Sequence, residues 1–371
     1  MSIIDFEELK TTLVEKFEAG KAEFIQKRPN ILVCGYTGSG KTSLIQAVMG
    51  DLVSNDRIGS GAPKTMAFDK YESDNILIWD SRGLEMGQTE EEFTKMMREF
   101  VRSKQEDPNL DNHIHLVWYV IQGSGARVTE CDLPLMKEIF TPESDITVIT
   151  KRDLMRPVQL ESIRDVLNKN GIMDEHIIAT SDLEGGAIGC NELVDLSYTM
   201  LPDAYKAAFL DAQRVDIEKK IEAIRAKEPL AKKIVMGASG VAAGIGLIPI
   251  PLSDAALILP AQMGMIGSLA ALYNLEKAMI ANFALPFVTQ CAGIITATSL
   301  TKLLPGIGSL INAGIAGSLT GAMGLFVKYN FENIAIKIVK NEPVPEFGLN
   351  VEQFKAFYND YIKGKFPKGS E

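Results

Sequence analysis

Apolar positions follow two periodicities in the first half of the chain and almost none in the second. Phe6, Leu9, Leu13, Phe17 and Phe24 recur at helical spacing and predict one amphipathic helix over residues 3–27, stopped by Arg28-Pro29-Asn30. Short apolar runs bounded by turn residues then predict strands at 30–35, 67–72, 75–80, 113–121, 145–150 and 176–180. Helical patterns lie between them, the clearest being Phe93, Met96, Met97, Phe100 and Val101 on one face. Such alternation predicts a doubly wound, mainly parallel sheet that ends near residue 200.

The texture then changes. Residues 204–228 read as one charged helix striped by Leu210, Ile217, Ile221 and Ile224. From 234 to 327 the chain is nearly free of charge, interrupted only by Asp254, Glu276, Lys277 and Lys302. The uncharged runs 234–253, 255–275, 278–301 and 303–327 are each long enough to cross a bilayer. Against that, the joining segments carry one or two charges, and Pro249, Pro251, Pro260, Pro286 and Pro305 break the runs. The abundant Gly, Ala, Ser and Thr suit close helix packing in either setting. Spanning helices and a buried bundle, covered by helices at 3–27, 204–228 and 351–362, both fit. A repeat runs through this region: 247–276 resembles 303–332, with Pro249 to Pro305 and Tyr273 to Tyr329 the same 56-residue step.

Composition removes several function classes. With 38 Lys+Arg against 48 Asp+Glu the net charge is −10, and no basic run carries interleaved aromatics, so nucleic acid is not an expected partner. Cys34, Cys131, Cys190 and Cys291 are scattered without zinc-ligand spacing, which fits a reducing compartment. The acidic start, Met1 to Lys10, lacks the features of a secretion signal, so the expected location is the cytoplasm.

The chemistry is carried by ordered motifs. Gly35-Tyr-Thr-Gly-Ser-Gly-Lys41-Thr42 fits a phosphate-binding loop between a predicted strand and a predicted helix. Glycines let backbone N–H groups approach phosphates, a lysine neutralises the β- and γ-phosphates, and a threonine hydroxyl can ligate Mg²⁺. The candidate nucleotide contacts here are Gly35, Gly38, Ser39, Gly40, Lys41, Thr42 and Ser43. Asp80 and Gly83 form a DxxG at a strand end: Asp80 is placed to hold Mg²⁺ through water, and the Gly83 N–H to sense a γ-phosphate. Thr65 is the candidate for a loop closing over that phosphate and for a further Mg²⁺ ligand. Thr150-Lys151-Arg152-Asp153 ends another strand; an aspartate there can accept both N1–H and N2–H of guanine, which adenine cannot supply, while the lysine stem stacks on the base. Ser181 and Asp182 occupy the place of a last base-contacting loop, where Ser-Ala is the usual pair.

As a set, the motifs over residues 30–182 resemble the Ras-like P-loop GTPases. That resemblance implies an α/β P-loop G domain over 30–200, with Mg²⁺ as cofactor and GTP and GDP as substrate and product. It breaks where many such enzymes carry a water-orienting glutamine, here Leu84. Arg82, Lys70 and Arg127 are the cationic candidates to compensate, Arg127 in cis or across a dimer as an arginine finger, although a surface or helix-capping arginine explains it better. Slow intrinsic hydrolysis is expected. A second resemblance covers most of the chain. An N-terminal helix (1–29), the G domain, and a hydrophobic all-α domain (201–371) carrying "IPIPLSDAALIL" and "LLPGIGSLINAGIAG" look like the immunity-related, interferon-inducible GTPases. "VWYVIQGSGARVTECDL" resembles bacterial GTPases with a hydrophobic C-terminal domain. These resemblances imply a homodimer across G domains and contact with a membrane surface, peripheral to it, both set by nucleotide. The alternatives are an integral membrane protein whose G domain gates a spanning bundle, and a scaffold switch that does not hydrolyse GTP.

Overall fold

Asn30, at the end of the Arg28-Pro29-Asn30 stop, is a buried polar pin for the sheet that follows. Its backbone N–H donates to His115 Nδ1 (2.9 Å), its amide donates to Asn112 O (2.9 Å), and its Oδ1 accepts from Trp79 Nε1 (2.8 Å). Three strands are thereby tied at one end. The computed structural model describes residues 6–23, 27–53, 68–83, 89–125, 128–129, 132–141, 144–183, 186–246, 255–276, 280, 287, 312–344 and 350–363. The chain divides into two compact units, residues 26–220 and residues 1–25 with 221–371.

The first unit is built on strands β1 (Asn30–Cys34), β2 (Phe68–Glu72), β3 (Leu77–Ser81), β4 (Leu116–Gln122), β5 (Asp145–Thr150) and β6 (Ile177–Ala179). They form one six-stranded sheet in the order β2-β3-β1-β4-β5-β6. All neighbours run parallel except the β2–β3 pair. β1 is apolar on both faces because both are covered. Ile31 and Val33 meet α2 (Lys41–Met49) and α6 (Cys190–Met200). Leu32 and Cys34 meet the side of α3 (Glu90–Gln105), α4 (Asp132–Ile139) and α5 (Pro157–Lys169). α3 begins in a capping box, with Thr89 and Glu92 bonding each other's backbone N–H. This is the doubly wound P-loop G-domain fold, with a helical region beside it in sequence.

Two local expectations change. The predicted 113–121 strand starts at Leu116, because His115 is drawn into the Asn30 contact. Residues 204–228 are not one helix: α7 (Asp203–Ala212) and α8 (Ile217–Ala226) are separated by a turn around Gln213. That side chain is fully buried; its Oε1 accepts from the N–H groups of Val215 (2.7 Å) and Asp216 (2.8 Å), and its Nε2 donates to Asp216 O (3.0 Å). A buried amide thus replaces the helical backbone bonds that continuation would have made. Next to it, the Arg214 N–H and guanidinium donate to Val48 O and Ala47 O, covering the last carbonyls of α2.

The second unit contains α1 (Phe6–Glu23), α9 (Glu228–Gly246), α10 (Ala255–Leu272), α11 (Asn312–Val339) and α12 (Val351–Ile362). Small residues set its spacing. A Cβ on Gly267 of α10 would lie 2.9 Å from Phe17 N and 3.1 Å from Leu13 O, so α1 and α10 meet backbone to backbone. A Cβ on Gly324 of α11 would lie 2.5 Å from Met265 Sδ and 2.7 Å from Val235 Cγ1. The 56-residue repeat places Tyr273-Asn274 opposite Tyr329-Asn330. In the first copy Asn274 turns left-handed (φ 54°) and the helix stops. In the second Asn330 stays helical, its amide donating to Phe326 O (2.8 Å). The proline-bearing starts of both copies, 247–254 and 303–311, lie outside the described residues. Among the described residues, no helix is long and apolar enough to cross a membrane.

Among the described residues of the helical core, one charged side chain is buried. Lys328 is 2% exposed; its Nζ lies 2.6 Å from Glu332 Oε2 and 3.5 Å from Glu228 Oε1, and Tyr273 Oη donates to Glu332 (3.3 Å). Removing one partner of such a pair leaves the other desolvated and unmatched. Lys328→Ala should therefore destabilise by about 3 kcal/mol, and Lys328→Met with Glu332→Gln should recover most of that. Urea titration checks it: a single variant with an unchanged midpoint would show that the ion pair contributes nothing.

Candidate nucleotide-binding site

The loop between β1 and α2 is shaped by three glycines with positive φ: Gly35 (142°), Gly38 (79°) and Gly40 (93°). A Cβ on Gly35 would lie 2.2 Å from Val120 O, so only glycine lets the chain leave β1 alongside β4. A Cβ on Gly38 would meet nothing within 4 Å, so the loop is open there. Lys41, the first residue of α2, is buried, and its Nζ donates to Gly35 O and Tyr36 O, both at 3.0 Å. Burial lowers its pKa, opposed by the nearby Asp80 carboxylate.

The second motif arrives on β3. Thr42 Oγ1 donates to Asp80 Oδ2 at 2.7 Å. Asp80 Oδ1 is buried without a hydrogen-bond partner. Burial pushes the Asp80 carboxyl up to about 6; Asp69, paired with it across the β2–β3 ladder, pushes the same way, while Thr42 and Lys41 oppose. A buried carboxylate with one spare oxygen beside a threonine hydroxyl fits a divalent cation. The described residues hold no cluster of three His, Cys, Asp or Glu side chains. Gly83 lies against the loop: a Cβ there would stand 2.1 Å from Thr37 N and 2.5 Å from Thr37 Oγ1.

The third motif leaves β5. Thr150 Oγ1 donates to Ser39 O at 2.6 Å, and Lys151, left-handed at φ 57°, donates from Nζ to Gly38 O at 3.3 Å. Asp153 is exposed in the short 3-10 turn Arg152–Leu154. The Arg152 N–H donates to Thr180 O (3.0 Å), tying this turn to the residues after β6. There the structure differs from a simple loop. Ser181 and Asp182 begin strand β7 (Ser181–Leu183), which forms a two-stranded antiparallel hairpin with β8 (Gly186–Ile188). Ser181 is buried, and its Oγ has no partner. Ser43 is exposed on the first turn of α2.

The structure therefore brings the Lys41, Thr42–Asp80, Gly83 and Thr150–Lys151 groups to one loop. Thr65 and Arg127 lie outside the described residues, as does Leu84. Of the other two cations, Arg82 pairs with Asp69 (3.1 Å). Lys70 stands opposite Trp79 in the ladder, on the face away from Asp80, and pairs with Glu72 at 2.6 Å.

The chain is 35% identical over 153 residues to magnetosome membrane protein 22 of Magnetospirillum gryphiswaldense, an alignment covering 38% of this chain and 69% of that protein. The chain belongs to the magnetosome membrane protein 22 family. No protein-family model matches it. Among solved structures, it is similar to a probable GTP-binding protein engB, with 19% identity, TM-score 0.34, and coverage of 46% of this chain and 97% of that one. It is also similar to Toc33 from Arabidopsis thaliana in complex with GDP and Mg²⁺, with 16% identity, TM-score 0.32, and coverage of 56% and 96%.

In this member of the magnetosome membrane protein 22 family, motif reading missed two side chains at the site. Thr37 fills a variable motif position yet touches Gly83. Gln122, at the end of β4, faces the loop from opposite Thr150. Its only sequence signal is its place as the last residue of a buried strand.

The raised Asp80 carboxyl makes a signed prediction. The folded nucleotide-free protein holds that proton more tightly than the unfolded chain, so stability falls as pH rises from about 4 to about 6. Asp80→Asn should then stabilise the nucleotide-free protein by up to about 3 kcal/mol above pH 6, with no gain below pH 4. Thermal melts across that range check it; an equal effect at pH 4 and pH 7.5 would contradict it.

Proposed function

We propose that this chain binds GTP and GDP, hydrolyses GTP to GDP and phosphate, and couples its nucleotide state to dimerisation or membrane association through the helical unit. The observation that carries the reading is the convergence of Lys41, the Thr42–Asp80 pair and Lys151 on one glycine loop. In this reading Lys41 leaves the Gly35 and Tyr36 carbonyls for the β- and γ-phosphates. Loop N–H groups of Gly38, Ser39, Gly40 and Ser43, at the positive end of α2, bind the remaining phosphate oxygens. Thr42, Asp80 and Thr65 would hold Mg²⁺, which when bound offsets charge on the phosphate oxygens. The Gly83 N–H meets the γ-phosphate. Asp153 accepts from the guanine N1–H and N2–H, Lys151 stacks along the base, and the Ser181–Asp182 backbone reaches its O6 edge. Water attacks the γ-phosphate in line. With Leu84 in the water-orienting place, the turnover is slow unless Arg127, in cis or across a dimer, supplies the missing charge.

Coupling to a membrane is supported by the relative's printed name, a membrane protein, and by the resemblance to immunity-related GTPases. In this reading the chain works in the cytoplasm, peripheral to a membrane.

GTP and GDP should compete for the purified protein and ATP should not. Lys41→Ala should weaken binding by at least about 100-fold, the loss of a buried charge-assisted contact. Asp153→Asn should shift preference towards xanthine nucleotides. Equal affinity for ATP would overturn the guanine assignment. Sedimentation with and without vesicles, in GDP and in a non-hydrolysable GTP analogue, tests the coupling.

A further inference from the structure

Gln122 ends β4 directly opposite Thr150, the first residue of the base-reading motif. The amide orientation that satisfies all its neighbours has Nε2 donating to Gly38 O (3.3 Å), and Oε1 accepting from Lys151 Nζ (3.2 Å) and Ser124 Oγ (2.6 Å). Lys151 Nζ itself donates to Gly38 O (3.3 Å). The three groups close a triangle of side-chain amide, ammonium and loop carbonyl. Lys151 needs such a hold. It sits in a left-handed backbone conformation and carries a long side chain with much rotamer freedom. Gly38 alone, a neutral carbonyl at long range, fixes its ammonium weakly. Gln122 adds a second acceptor from a rigid buried strand rather than from a loop.

We propose that Gln122 is a positioning residue for guanine-nucleotide binding: it locks the Lys151 ammonium over Gly38, so that the lysine stem is laid out for the base before nucleotide arrives. This rests on the guanine reading above. Of the loop's bonded carbonyls, Gln122 bears on Gly38 alone: Thr150 holds Ser39 O, and Lys41 holds Gly35 O and Tyr36 O until phosphate draws it away. Gln122 therefore acts chiefly on the base, through Lys151, and much less on the phosphates.

The test compares GDP with inorganic pyrophosphate, which has phosphates and no base, on the full-length chain. Gln122→Met keeps the volume and removes both polar atoms. It should weaken GDP about tenfold and pyrophosphate less than about twofold. In a Lys151→Met background the same change should have no further effect on GDP. Gln122→Asn, too short to reach Gly38 and Lys151 together, should behave like Gln122→Met and serves if that variant does not fold. Unchanged GDP affinity in these variants overturns the proposal, as do equal losses for GDP and pyrophosphate. A wild-type chain that fails to bind GDP instead overturns the guanine reading itself.

Discussion

The phosphate loop is held by its carbonyls. Gly35 O and Tyr36 O accept from Lys41, Gly38 O from Lys151, and Ser39 O from Thr150. A trans peptide plane points its N–H away from its C=O. Fixing the carbonyls outwards therefore fixes which way the intervening N–H groups face. The donors come from the start of α2 and from the end of β5, two strands away in the sheet from β1. The shape of this glycine loop is thus a property of the whole parallel sheet. It also explains why Asn30, at the far end of β1, is buried and hydrogen-bonded through both its backbone and its amide: any slip of β1 against β3 or β4 would carry the loop away from its donors.

The same economy leaves an oxygen of Asp80 without a hydrogen bond. Asp80 is brought to Thr42 by the register of β1 and β3, which pairs Val33 with Asp80. One carboxylate oxygen is used and the other faces nothing. Nearby Lys41 would be its natural partner, yet that ammonium is engaged by the loop. Strain of this kind is carried at sites built for a ligand, and the surrounding apolar sheet supplies the stability that tolerates it.

Much of this was legible in the sequence. Strong periodicity marks buried strands and amphipathic helices, and glycine spacing marks the loop, because each reflects a local rule. Residues 351–362 were read as a helix and are one. What was hidden depends on partners distant in sequence. The break at Gln213 looks helical until its side chain is seen bonded to Val215 and Asp216. The β7–β8 hairpin is too short for alternation to register. Lys328 reads as the charge that ends an apolar run, yet it is enclosed by Glu332, Glu228 and Tyr273. Gln122 lies in a stretch read only for family resemblance, and its contacts are with Lys151 and Gly38, far apart in sequence.

The backbone-to-backbone seam of α1 with α10 has a temporal consequence. α1 ends at Glu23, while the glycine face that receives it begins at Ala255. A ribosome adding roughly 5–20 residues per second needs from about ten seconds to most of a minute to cover that gap. Through that interval Leu13 and Phe17 are without their partners, while the sheet between them has all its strands. The helical unit is a late, high-contact-order structure, its first helix made before the sheet and its receiving helix after it. Birth of the chain is the period in which its most apolar surfaces are most exposed to a chaperone or to a lipid surface.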